Sequence, residues 1–127
     1  MDVNNRGNSK STGSLTILKS WMLIGPQNSS TQGLSLQISE IPVGSAQPLH
    51  SHEPEQCYYI VRGRGIMTIG EETRQVSAGD AVYIPPNRSH GIENSGDDVL
   101  EYVTANSPVF DSRYENALWP ADPAQDG

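Results

Sequence analysis

Leu34, Leu36 and Ile38 alternate with Ser35, Gln37 and Ser39. That period of two places the leucines and the isoleucine on one face of a strand and the polar residues on the other. Before it, the run LTILKSWMLIG is closed by Gly25-Pro26, and PQNSSTQG carries turn chemistry. After it, Pro42-Val43-Gly44 breaks the pattern. CYYIVRGRGIMTIG is then rich in β-branched and aromatic residues, with internal glycines that mark bends or bulges. Glu71-Glu72 reads as a hairpin tip, Ala78-Gly79-Asp80 as a turn, AVYIPP as a strand that proline ends, and VLEYVTA as the last strand. No stretch has a helical period. Short strands at this spacing predict an all-β sandwich or barrel over residues 15–105. Residues 1–14 are too polar to offset their ordering entropy and are expected to form a flexible N-terminal arm. Residues 106–127 are expected to form a C-terminal arm, with one short helical turn over 112–118, wrapping the barrel. Trp21 and Trp119 are expected to cover apolar surface between arm, barrel and a partner subunit.

Composition narrows this picture. The 127 residues suffice for one domain, and the apolar fraction of 35% gives a lean core. A net charge of −7 speaks against nucleic-acid or anionic-membrane partners, which need a basic footprint. A single cysteine, Cys57, permits no internal disulfide and fits a reducing cytoplasm. No apolar run approaches transmembrane length. A lean core and exposed strand edges favour a homodimer.

Histidine occurs three times, at His50, His52 and His90. At i and i+2 of a strand, His50 and His52 would share a face, as two imidazoles holding one cation must. Gln56 follows at the same parity and offers an amide oxygen.

The segment GSAQPLHSHEPEQCYYIVRG, residues 44–63, resembles the first motif of the cupin superfamily, and GDAVYIPPNRSHGIEN, residues 79–94, resembles the second. Fifteen residues separate them, a spacing common in small microbial cupins. The resemblance implies a single-domain jelly-roll (RmlC-like) barrel with a divalent metal (Zn, Mn, Ni or Fe(II)) held by His50, His52, Gln56 and His90. Two positions depart from the pattern. Gln56 stands where a glutamate is usual, and Asn87 where a glycine is usual; asparagine tolerates a left-handed turn. A neutral amide leaves a divalent site near +2 rather than about +1, which weakens metal binding but strengthens the metal as a Lewis acid. Cupins that act on unsaturated uronates have a similar H-x-H-x-x-x-Q arrangement. Either Gln56 ligates or three histidines hold the metal alone.

Parity places Tyr58 and Ile60 on the face of Gln56, and makes Tyr58 a candidate acid or core residue. On the last strand either Tyr102 or Glu101 faces the cavity; an inward glutamate would serve as a general base. Arg88 could reach a substrate carboxylate or pair with a surface acid. The functions in view are a metal-dependent isomerase, lyase or cyclase on a small oxygenated molecule such as a sugar acid or carbonyl compound, a non-catalytic small-ligand binder, and a metal-dependent dioxygenase. The superfamily hosts many activities on one barrel.

Overall fold

A computed structural model describes residues 1–109. Ten strands follow in chain order: β1 (Ser11–Ser14), β2 (Leu18–Ile24), β3 (Ser35–Ile41), β4 (Ala46–His50), β5 (Glu55–Arg62), β6 (Arg64–Ile69), β7 (Glu72–Ser77), β8 (Ala81–Ile84), β9 (His90–Asn94) and β10 (Leu100–Ser107). They form two antiparallel sheets, ordered β1-β2-β3-β10-β5-β8 and β4-β9-β6-β7. The two sheets enclose one core, the all-β arrangement expected from the strand pattern and the jelly roll implied by the resemblance of the two motifs. Among the described residues no helix is long and apolar enough to cross a membrane.

The breakers act where their chemistry requires. β8 stops at Ile84, before Pro85-Pro86, and Gly63 bends the chain between β5 and β6. Asn87 does adopt the left-handed conformation, with φ 60°.

Alternation is strict on β3 and β10, but the polar half of β3 turns inward. Ser35, Gln37 and Ser39 are buried, whereas Leu36 and Ile38 lie on the outer face and Leu34, just before the strand, is exposed. The interior is therefore divided along its length. Leu100 pairs with Ile41 and Tyr102 with Ile60, and together with Leu18, Met67, Val76, Ile84 and Ile92 they form the apolar core. Beyond them the rows Gln37–Thr104–Tyr58 and Ser35–Asn106–Gln56 turn polar.

Residues 1–14, expected as a flexible arm, are built onto the larger sheet. β1 pairs with β2 from Ser11↔Trp21 to Ser14↔Leu18. Residues 6–8 form a 3₁₀ turn capped by Asn5, whose Oδ1 accepts from Gly7 N at 2.8 Å. Arg6 reaches Glu40 at 2.8 Å and Glu101 at 3.2 Å, and its guanidinium lies 3.9 Å from the Trp21 ring centroid. Backbone pairing and polar contacts hold this segment, and neither depends on the apolar content on which the flexible reading rested. β10 runs to Ser107, past the boundary expected at 105. The helical turn at 112–118 and Trp119 lie outside the described residues.

Candidate metal centre

The three histidines reach one point from two strands and a loop. His50 closes β4, His90 opens β9, and the two are paired. His52 lies in the loop after β4 rather than on a strand, so the shared face expected from i, i+2 parity arises in another way. A register shift between Gln47 and His50 bulges β4 around Pro48 and Leu49. This bulge presses on β9 at Gly91, where a Cβ would lie 2.9 Å from Gln47 O and 3.1 Å from Leu49 N. The loop carrying His52 is tied down by Asn87 N, which donates to His52 O at 2.8 Å. The left-handed Asn87 thus helps to place a histidine.

One ring nitrogen from each of His50, His52 and His90 lies within 4.8 Å of the others. Ring centroids are 5.5 Å apart for His50–His52, 4.3 Å for His50–His90 and 4.8 Å for His52–His90. Each Nδ1 faces a backbone carbonyl: Pro48 O at 2.7 Å, Pro54 O at 2.9 Å and Arg88 O at 2.9 Å. A carbonyl only accepts, so each Nδ1 carries the proton and each Nε2 keeps its lone pair. Burial is the main force on all three and favours the neutral ring. It lowers His50 and His52 below the ordinary histidine value and takes His90 down to about 3. The bonds to the carbonyls pull the other way, as does the Gln56 amide at His52. Three neutral imidazoles with fixed tautomers are a suitable donor set for a divalent cation.

Gln56 is buried on β5, and its Oε1 makes no hydrogen bond of regular geometry; the same holds for His90 Nε2. A buried polar atom left unpartnered costs about 1–3 kcal/mol. A cation between the imidazoles and the amide would satisfy both atoms, so the residues fit a metal.

Tyr58 and Tyr102 both face inward, stacked at 4.8 Å with rings 10° from parallel. Their hydroxyls donate to Gln47 Oε1 at 3.3 and 3.5 Å. Burial raises both far above the usual tyrosine range. They are protonated donors, not bases.

Glu101 takes the other side of β10. It points outward and pairs with Arg6, so its expected place as a general base in the cavity is not the one observed. Tyr102 shares the inner face with Leu100, Thr104 and Asn106 in the unbroken alternation of β10, and the bulge in its pairing with β5 falls at Val61 of β5. Arg88 is exposed, with its side chain across Gly70 in the β6–β7 turn, and its carbonyl orients His90. Cys57 faces out, as its parity requires. Gln37, Gln47 and Asn106, all buried on the inner face, were not singled out from the sequence. The polar half of the β3 alternation was the available signal.

Residues 37–106, more than half of the chain, match the family described as Cupin domain. The chain belongs to the cupin family. It is 43% identical over 77 residues to an uncharacterized protein of Methanocaldococcus jannaschii, covering 60% of this chain and 62% of the relative. It is 37% identical over 65 residues to an oxalate-binding protein of Thermotoga maritima, covering 50% of this chain and 54% of that protein. The match thus spans less than two thirds of either relative. Among solved structures, KdgF from Halomonas sp. superposes with a TM-score of 0.75 at 20% identity, over 89% of this chain and 98% of that one; at that identity the likeness is one of fold.

Proposed function

We propose that this protein binds one divalent metal ion through His50, His52 and His90, with Gln56 as fourth donor, and acts as a metal-dependent enzyme on a small oxygenated molecule. The observation that carries the reading is the set of three buried imidazoles, each fixed at Nδ1 by a backbone carbonyl and presenting Nε2 to one point. When bound, such a metal acts as a Lewis acid toward a carbonyl, enol or hydroxy acid. The chain's own residues orient and exclude. Tyr58 and Tyr102 hold their protons, direct them to Gln47 Oε1 and so fix that amide beside the site, and the apolar core closes the barrel behind them. Arg88, exposed two residues before His90, is the residue to meet a ligand carboxylate. Zinc, manganese, nickel and ferrous iron are each within reach of a nitrogen-rich set with one amide oxygen.

The test is metal uptake by the untagged full chain, followed by calorimetry. One equivalent is expected, lost in His52→Ala and in His90→Ala. No uptake anywhere between about pH 6 and 9 would contradict the reading.

A non-catalytic binder is the second reading. It is favoured by the inner surface, where among the described residues no carboxylate faces the site, and by the oxalate-binding relative. Turnover of no carbonyl or hydroxy-acid substrate by metal-loaded protein that binds them would select it.

For assembly the proposal is a homodimer. The outer face of the larger sheet carries the row Trp21–Ile38–Val103–Tyr59–Ala81, and Tyr59, Val61 and Tyr83 are exposed there. Sedimentation equilibrium at the 13.8 kDa chain mass would contradict it.

A further inference from the structure

Beside the histidines the inner face of the larger sheet holds a second set of unsatisfied groups. Across β3, β10 and β5 the register aligns Ser35–Asn106–Gln56 in one row and Gln37–Thr104–Tyr58 in the next. All six residues are buried. Among the described residues, Gln37 Nε2, Thr104 Oγ1 and Asn106 Oδ1 have no hydrogen-bond partner. Asn106 spends its other amide atom on Ser35 Oγ, at 3.3 Å. Whichever way that amide is turned, one of its polar atoms is left over. Three neighbouring polar side chains on one face, Gln37, Thr104 and Asn106, each with an atom short of a partner, are rare in a folded core.

From this wall the geometry points to a recognition surface for the hydroxyl groups of a ligand whose charged head lies at the histidine centre. This inference rests on the metal-centre reading and adds the ligand's chemical class to it. The argument is one of donors and acceptors. Gln37 Nε2 can only donate, the Asn106 oxygen can only accept, and the Thr104 hydroxyl does either. A carboxylate tail would leave the Asn106 oxygen unmet, and a hydrocarbon tail would leave all of them unmet. A hydroxyl both donates and accepts, so a chain or ring bearing several of them satisfies the wall throughout. The inward positions of β3, β5 and β10 include no charged residue, so the wall offers nothing to a second ionic group on the ligand. Its extent also fits. Three neighbouring strands span about 10 Å, and two rows along a strand about 7 Å. That is the footprint of a chain or ring of five or six carbons. The ligand class is a polyhydroxylated acid or carbonyl compound, with its chelating head at the histidines and its hydroxyls on Gln37, Thr104 and Asn106.

The test uses two probes with the same head. D-gluconate and 2-hydroxyhexanoate share the 2-hydroxy acid group and the six-carbon chain, and differ only in the remaining hydroxyls. Both are titrated by calorimetry into the full chain, with and without zinc. Gluconate should bind at least about tenfold tighter. The near-isosteric Thr104→Val and Gln37→Met should each remove most of that preference while leaving zinc affinity unchanged. Zinc affinity reports on the histidine centre separately, so its failure and the failure of the wall are told apart. Equal binding of the two acids, no binding of either, or a preference that survives both substitutions would overturn the proposal. The last outcome would mean that buried water satisfies these atoms.

Discussion

The two ends of this barrel are made from the same strands by the same alternation, yet they are chemically opposite. At one end, inward positions of β3, β10 and β5 are Ile41, Leu100 and Ile60, each 0–1% exposed. At the other, the same strands present Ser35, Asn106 and Gln56, and the facing sheet presents His50 and His90. The apolar end gains from burial, at about 25 cal/mol per Å². The polar end gives some of that up, because it buries amides, a hydroxyl and the His90 imidazole without full partners among the described residues. A fold selected for stability alone would not place them there, and ligand-binding surfaces commonly hold such groups.

The sharpest way to break this comparison is at the histidine centre. His90→Ala should reduce metal affinity by more than about a hundredfold, since it removes a ligand rather than a supporting partner. Its stability without metal should fall less than that of Leu100→Ala, because the lost packing and Arg88 bond are offset by removal of a buried, unpartnered Nε2. Equilibrium dialysis and urea unfolding measure the two effects. The converse holds at the apolar end. Leu100→Ala should cost about 2–5 kcal/mol in urea unfolding and leave metal affinity within about threefold of wild type. If both variants lose both properties, the two ends are not separable.

The pH dependence of the apo protein sharpens the same point. Burial lowers all three histidines, so the unfolded chain binds protons below about pH 6.5 that the folded chain refuses. The stability they contribute is complete above that pH. It is lost as the pH falls from about 6.5 toward the folded value, which is about 3 for His90. Each histidine adds at most about 1.4 kcal/mol per pH unit. Denaturant midpoints at pH 7 and pH 5 should differ, and less so in His90→Ala. Equal midpoints would contradict neutral buried imidazoles. A smaller effect is expected from Gln56→Glu, which restores a carboxylate and should tighten metal binding about tenfold. Smallest of all, Arg6→Ala should cost about 1 kcal/mol or less, since its two ion pairs are partly exposed.

The sequence made the strands, the breakers and the histidine cluster legible, because period two, proline and the paired motifs are local signals. The choice of inner face on β3 was not local. Leu36 and Ile38 lie with Ala105 and Val103 on the outer face, and Ser35 and Gln37 with Asn106 and Thr104 on the inner one; only the assembled sheet shows which face is which. The Glu101 or Tyr102 alternative turned on which face of β10 meets the core, and parity gives the two faces without saying which one is inner. The bulge that brings Gln47 and His50 to the same interior is likewise invisible to parity counting. The attachment of residues 1–14 was missed because their contacts are backbone pairing and Arg6 ion pairs, to which hydropathy is blind.

X-ray absorption of the zinc-loaded full chain tests the central claim most directly. The account predicts a first shell of nitrogen and oxygen only, at about 2.0–2.1 Å, with outer-shell scattering from three imidazoles. A spectrum showing sulfur, or fewer than two imidazoles, would contradict it.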